Sequence, residues 1–339
     1  MIRYGIIGFG AWGHCYADAI RKLPEVTLAA IVTGNPDTVN NIRTEYPNTI
    51  VVADYHELLR INDWDVAAVT VPNHLHFQIG LDVLNTGKHL LIEKPLALTA
   101  EDSDTLFRTA TEKGLHLTVG HQFRLSSLWG KIKELIDTDQ IGVPQYMLIE
   151  LSRNPYRTGE DNWRYDKKRV GNWILEEPIH FFDLACWYFE SFGKPVSIYA
   201  SANTSLSTDK ELYDNLSAII HFSNGSHVVI AQTLAAFEHH QSIKVAGTKG
   251  SLWATWNGTI DRTRYPSYFL KLSDGNNVHE INIGKPAGEL FELEEQIVRM
   301  SLVIEGKAPN YCTGVDGCQA VTLSIAAQKS AQTGIIINL

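Results

Sequence analysis

Two stretches of this chain carry side chains suited to moving a proton and steadying a negatively charged oxygen. One is Glu93-Lys94-Pro95, directly after an apolar run. The other is Glu176-x-x-x-His180-x-x-Asp183. Spacings of four and three put all three residues on one face of a helix, if a single helix runs through them. Histidine titrates nearest neutrality, and an ammonium beside an oxygen stabilises alkoxide character. Together they suit the oxidation of a secondary alcohol, or its reverse, in which one H–C–O–H unit loses a proton and a hydride. His180 is assigned as general acid/base, a role worth about 10²–10⁴ in rate. Lys94 is the polariser, with a proton-relay role open to it. Glu176 orients His180 or the substrate. Asp183 reads equally as a helix-orienting residue or a substrate ligand.

A hydride needs an acceptor. Gly8-Phe9-Gly10-Ala11-Trp12-Gly13 follows an apolar strand and opens a helix. The first glycine permits a tight turn, the second lets backbone approach a pyrophosphate, and the third lets helix pack on strand, with the helix N-terminus facing the phosphates. The expected cofactor is a nicotinamide dinucleotide. After the second strand comes Val32-Thr33-Gly34-Asn35-Pro36, with no acid at position 33 or 34 to hold ribose hydroxyls. Small hydroxyl and amide groups leave room for a 2′-phosphate, and Arg43 is the nearest base. NADP is therefore expected over NAD; Asp37 turning back would serve NAD. Pro72, Asn73 and His76 follow a buried run at 66–71, so they join Glu93 and Lys94 at the carboxyl ends of strands. Gln122 and Arg124, beside His121, are expected to reach the nicotinamide pocket.

Residues 152–172 are irregular, charged and aromatic. Tyr156, Trp163 and Arg164, with Trp173 beyond, offer the flat faces and hydrogen-bonding tips that suit a polyol. The alternative is that the aromatics pack under a surface loop. Arg157, Arg164, Lys167, Lys168 and Arg169 favour an anionic sugar or form a solvated basic stretch, and the second reading is preferred. His239 and His240 are adjacent on a strand and point to opposite faces, so no metal pair is expected there, nor a metal site elsewhere.

The elements that position these groups fall into two series. Residues 1–121 alternate short apolar runs with helical patterns, which means a parallel, doubly wound sheet. Helices are expected at 13–23 and 99–113. Residues 122–339 read as an α+β substrate-binding and oligomerisation domain. It has a helix at 173–189, then successive strands from 196 to 283 that form a large, predominantly antiparallel sheet. Helices at 289–305 and 314–333 close it. A broad open sheet face of this kind suggests a homo-oligomer, dimer or tetramer. Length fits about two domains. Thirty-eight acids against 29 bases give a net charge of −9, which disfavours nucleic acid and membrane surfaces. No signal peptide is read at the start, and four scattered cysteines read as reduced thiols, so a cytoplasmic protein is expected. Cys312 and Cys318 could pair only on oxidation.

The chain resembles the glucose–fructose oxidoreductase / inositol dehydrogenase / rhizopine-catabolism (Gfo/Idh/MocA) oxidoreductases over essentially its whole length. The glycine turn, Pro72-Asn73…His76, Glu93-Lys94-Pro95, Arg124, Trp163-Arg164 and the Glu176…His180…Asp183 run carry the resemblance. It implies a Rossmann domain, an α/β substrate domain, oxidation or reduction of a sugar or cyclitol, and contact of Glu93 and Lys94 with the nicotinamide ribose. It also admits cofactor-recycling, glycoside-cleaving or sensor members. The family commonly has G-G-G-x-L-x-D-x-G-x-H-x-x-D. Here Glu176 replaces the aspartate, Pro178 stands where glycine is usual, and Trp173 adds bulk. These departures bear on substrate identity more than on reaction type.

Overall fold

The computed structural model describes residues 1–339, which divide into two compact units. In the first, β1 (Ile2–Ile7), α1 (Ala11–Lys22), β2 (Val26–Val32), α2 (Val39–Glu45), β3 (Ile50–Val52) and α3 (Tyr55–Leu59) lead to β4 (Val66–Val69). Then come α4 (His76–Asn85), β5 (His89–Ile92), α5 (Ala100–Glu112) and β6 (Leu117–Val119). The strands form one parallel sheet in the order β3-β2-β1-β4-β5-β6, a Rossmann arrangement. Val66, Ala67, Ala68 and Val69 are all fully buried, as strands covered on both faces must be. Thr99 caps α5 by accepting from the Asp102 N–H at 3.0 Å. The strand order reverses between β1 and β4, which opens a crevice at their carboxyl ends.

The second unit runs α6 (Trp129–Asp137), β7 (Pro144–Arg153), α7 (Lys167–Val170), α8 (Ile179–Phe189), β8 (Pro195–Asn203), β9 (Asn215–Phe222) and β10 (His227–Thr233). It continues with β11 (His239–Gly247), β12 (Ser251–Gly258), β13 (Ser267–Ser273) and β14 (Val278–Glu280). Next in the chain are α9 (Glu289–Ile304), α10 (Gly314–Thr333) and β15 (Ile337–Asn338). The nine-stranded sheet has the order β14-β13-β12-β11-β7-β10-β9-β8-β15 and is antiparallel except where β7 meets β10. Met147, Ile149, Leu151, Val228, Ile230, Ile243 and Val245 alternate onto the face covered by Phe181, Phe182, Ala185 and Phe189 of α8. No helix is long and apolar enough to cross a membrane.

Two features differ from the sequence reading. The division at 121/122 assigns both C-terminal helices to the second domain, whereas Leu293–Val321 groups with the first unit. The reason is apolar: Leu293, Ile297 and Met300 of α9 complete the core built by Tyr4, Ile6, Ile20, Leu28, Val66 and Leu91. Tyr4 also donates to the Ile297 carbonyl at 2.9 Å. The second difference is that α8 begins at Ile179 rather than 173. Pro178 has no N–H to offer a preceding turn, and its φ of −61° starts a helix well. Residues 174–178 form turns instead. Glu176 is therefore not on one helical face with His180 and Asp183.

Candidate active site

The glycine turn explains itself by what a side chain would meet. A Cβ on Gly13 would lie 2.2 Å from the Gly8 carbonyl oxygen. Gly8 has φ +102°, and a Cβ there would press within 2.9 Å of the Thr70 backbone. Both glycines are demanded by the protein's own packing. Gly10 is not: its φ is −82°, and nothing lies within 4 Å of its Cβ position. Its open side is the room a diphosphate needs. The α1 N-terminus has no side-chain cap and no acid in its first turn, so its amides remain suited to an anion. Phe9 is buried against His14 and Tyr46. The residues present thus fit a dinucleotide.

Past β2, Thr33 and Thr38 share a hydroxyl–hydroxyl bond of 2.6 Å, and Gly34 takes φ +71°. Asn35 accepts from the Asp37 N–H at 3.0 Å, so it shapes the turn. Arg43 donates to the Val51 carbonyl at 2.9 Å, which holds its exposed guanidinium beside the end of β3. Pro72 precedes the buried Asn73 in a short turn after β4. His76 sets its Nδ1 2.6 Å from the Pro95 carbonyl and its Nε2 2.9 Å from that of Val71, tying the loop after β4 to the loop after β5. Lys94 is half-buried and joined to Pro95 by a cis peptide. Glu93 is buried, and its Oε1 accepts from both Trp12 Nε1 (2.8 Å) and Tyr16 Oη (2.7 Å). Burial raises its pKa, and those two donors pull it back.

In the second unit, Gln122, Phe123 and Arg124 lie buried in one short turn. The buried His180 ring stacks on Phe123 with centroids 4.6 Å apart. Arg124 Nε donates to Asp183 Oδ2 at 2.9 Å and Nη2 to Oδ1 at 2.7 Å, while its face covers Trp187. Asp183 is thus the anchor of Arg124. Glu176 Oε1 accepts from Arg164 Nε at 2.7 Å, and Arg164 lies 4.4 Å over the Trp163 ring.

Family comparison agrees with this geometry in two successive stretches of the chain. Residues 2–121 match an oxidoreductase family with an NAD-binding Rossmann fold, and 129–253 match the GFO/IDH/MocA C-terminal domain. The chain belongs to the GFO/IDH/MocA oxidoreductases. Among curated relatives, an uncharacterised oxidoreductase, YrbE, of Bacillus subtilis is 27% identical, over 99% of this chain and 96% of that protein. The myo-inositol 2-dehydrogenase of Thermotoga maritima is 25% identical, over 98% and 96%. A crystal structure of aldose-aldose oxidoreductase from Caulobacter crescentus, complexed with glycerol, shares the fold with a TM-score of 0.85. It is 19% identical, over 100% of this chain and 99% of that one.

The aromatic stretch of this GFO/IDH/MocA chain takes the packed alternative. Tyr156, Trp163 and Trp173 are buried with Val170, Leu212 and Leu234. Trp173 Nε1 donates to the Arg164 carbonyl at 2.8 Å, so the cluster fixes Arg164 and, through it, Glu176. The basic residues are largely paired: Lys167 with Glu211, Arg157 with Asp261, Arg164 with Glu176. Sequence reasoning missed a buried polar group behind Phe123. Phe123, His239, Gln241, Trp256, Glu289 and Glu292 line a cavity of about 10 Å³, room for a single water. Burial pushes Glu292 up to about 8 and His239 down to about 4. No local pattern signals this group, because its members come from three distant segments.

Proposed function

We propose that this oxidoreductase transfers a hydride between a nicotinamide cofactor, NADP in preference to NAD, and a secondary alcohol or ketone of a sugar, sugar derivative or cyclitol. The carrying observation is the uncapped α1 N-terminus with Gly10 turned to open space. Gly8 to Gly13 would hold the diphosphate. Thr33, Gly34, Asn35 and Arg43 would hold the adenosine ribose and its 2′-phosphate, with no carboxylate at 33 or 34 to repel it. Pro72, Asn73 and His76 would line the nicotinamide side, and Gln122 and Arg124 are the further residues proposed to reach the nicotinamide pocket. Hydride acceptance is the chemistry the nicotinamide supplies when bound.

His180 takes the hydroxyl proton in oxidation and returns it in reduction. Lys94 stabilises the oxygen as it gains negative charge. Glu176, neutralised by Arg164, positions the substrate beside His180 without adding a free charge. The relative that acts on myo-inositol supports a cyclitol or sugar as the substrate class. The outer face of the nine-stranded sheet, hollowed by about 530 Å³ among Ser152, Ser217, Ser242 and Thr255, is the proposed contact between copies. The proposed compartment is a reducing one such as the cytoplasm, in keeping with four cysteines scattered along the chain.

The test is nicotinamide absorbance with NADP or NAD and a panel of pyranoses, sugar acids and inositols, with Lys94→Met alongside. Reduction that disappears in the variant is the expected result. A substrate turned over equally by Lys94→Met would refute the assignment.

A further inference from the structure

His180 is held by ring contact as well as by its helix. The imidazole stacks on Phe123 with centroids 4.6 Å apart and planes at 30°. Phe123 is itself wedged in place: Trp129 lies 6.4 Å from it at 48°, and Phe181 lies 6.1 Å away at 35°. All four rings are buried. A histidine on a helix still has its ring torsion to settle, because that torsion is broad. A flat face against the imidazole settles it, since turning the ring out of the stack drives its edge into Phe123.

The turn that carries Phe123 is tied to the same face of α8. Arg124, the next residue, makes two hydrogen bonds to Asp183, of 2.9 and 2.7 Å. Asp183 follows His180 by three residues within Ile179–Phe189, so the two share one side of the helix. Phe123 and Arg124 therefore meet His180 and Asp183 pairwise. The ion pair sets where the turn sits along α8, and the stack sets the plane of the imidazole. Ser126 accepts from the Leu128 and Trp129 N–H groups at 3.3 and 3.4 Å, which fixes the start of α6 and with it Trp129 beside Phe123. For a general acid/base the ring plane decides the reach. Its nitrogen must come within about 2.6–3.2 Å of the group it serves, and a misplacement of about 1 Å costs on the order of 10² in rate.

We propose that Phe123 is the positioning residue for His180, holding the imidazole plane so that a ring nitrogen meets the reacting hydroxyl, on the reading of His180 as the general acid/base. Phe123 acts only through the ring it holds.

The test is a cycle of the unsubstituted chain, Phe123→Leu, His180→Asn and the double variant, with Phe123→Tyr as the conservative replacement. Turnover is followed by nicotinamide absorbance with the panel of pyranoses, sugar acids and inositols. Calorimetric binding of NADP or NAD counts the folded protein in each preparation. Leucine keeps apolar bulk but has no flat face. Loss of one ring contact predicts kcat about two- to tenfold lower in Phe123→Leu with KM held, since the aim of the base matters only in the transition state. The solvent deuterium isotope effect on kcat should rise, because proton transfer becomes slower relative to the other steps. Phe123→Tyr should restore most of the loss. With His180→Asn already present, Phe123→Leu should cost almost nothing further, because no base is left to aim. Unchanged kcat in Phe123→Leu, a rise in KM alone, or an equal loss with and without His180 would overturn the role of Phe123 and leave that of His180 intact. Undiminished turnover in His180→Asn would overturn both, and so would an unsubstituted chain that turns over nothing in the panel.

Discussion

The Arg124–Asp183 pair offers a quantitative prediction. Two parallel hydrogen bonds of 2.9 and 2.7 Å join side chains only 5% and 1% exposed. Asp183→Asn leaves the guanidinium buried with its counter-charge gone. Breaking such a pair from one side costs about 3–5 kcal/mol. At about 2–4 °C per kcal/mol for a unit of this size, the melting temperature should fall by roughly 6–20 °C. Arg124→Met should cost a similar amount, because it strands the carboxylate. The double variant Arg124→Met/Asp183→Leu removes both charges and fills the space with apolar atoms, so it should be more stable than either single variant. The assay is urea unfolding of all four proteins, closed as a double-mutant cycle. Single losses below about 1 kcal/mol that simply add in the double would refute the reasoning, since that is how surface pairs behave.

Three further outcomes follow from the same geometry. Glu292 titrates at about 8 in the fold against an ordinary 4.5, so the folded state binds its proton more tightly. Its stabilising contribution is fully present below about pH 4.5 and lost as pH rises through 8; Glu292→Gln should flatten the stability–pH curve in that window, by up to about 5 kcal/mol at its upper end. Gly13→Ala must collide with the Gly8 carbonyl and should melt well below the unsubstituted protein. Gly10→Ala should melt normally yet bind NADP at least about tenfold more weakly in calorimetry, having filled only the ligand's space. Thr33→Asp places a carboxylate where a 2′-phosphate would sit and should shift the ratio of NADP to NAD affinity toward NAD by about tenfold or more, read in parallel titrations.

What could be read in the sequence was local. The glycine turn, Glu93-Lys94-Pro95 and the Thr99 cap each lie within a few residues, and their geometry follows from steric rules that a short peptide already obeys. Pro178 was equally local, and its missing N–H should have outweighed the helical spacing of Glu176 and His180. The partner of Asp183 lies 59 residues away, that of Glu176 is set by the packing of Trp163 and Trp173, and the cavity behind Phe123 joins three segments. Periodicity carries no information about such pairs. The aromatics at 156, 163 and 173 illustrate the point, for the same residue types serve a polyol or a small core with equal ease.

The return of α9 into the core around Tyr4 and Ile6 also orders events in time. On the ribosome the six parallel strands emerge first, yet the helix that covers Tyr4 is made only after residue 292. At about 5–20 residues per second, that is a wait of roughly 10–30 s. Through that interval the nascent first unit presents an uncovered apolar face. Any chain stalled or cleaved between the two units would keep that face exposed, which makes truncated products of this protein natural clients for chaperones and proteases.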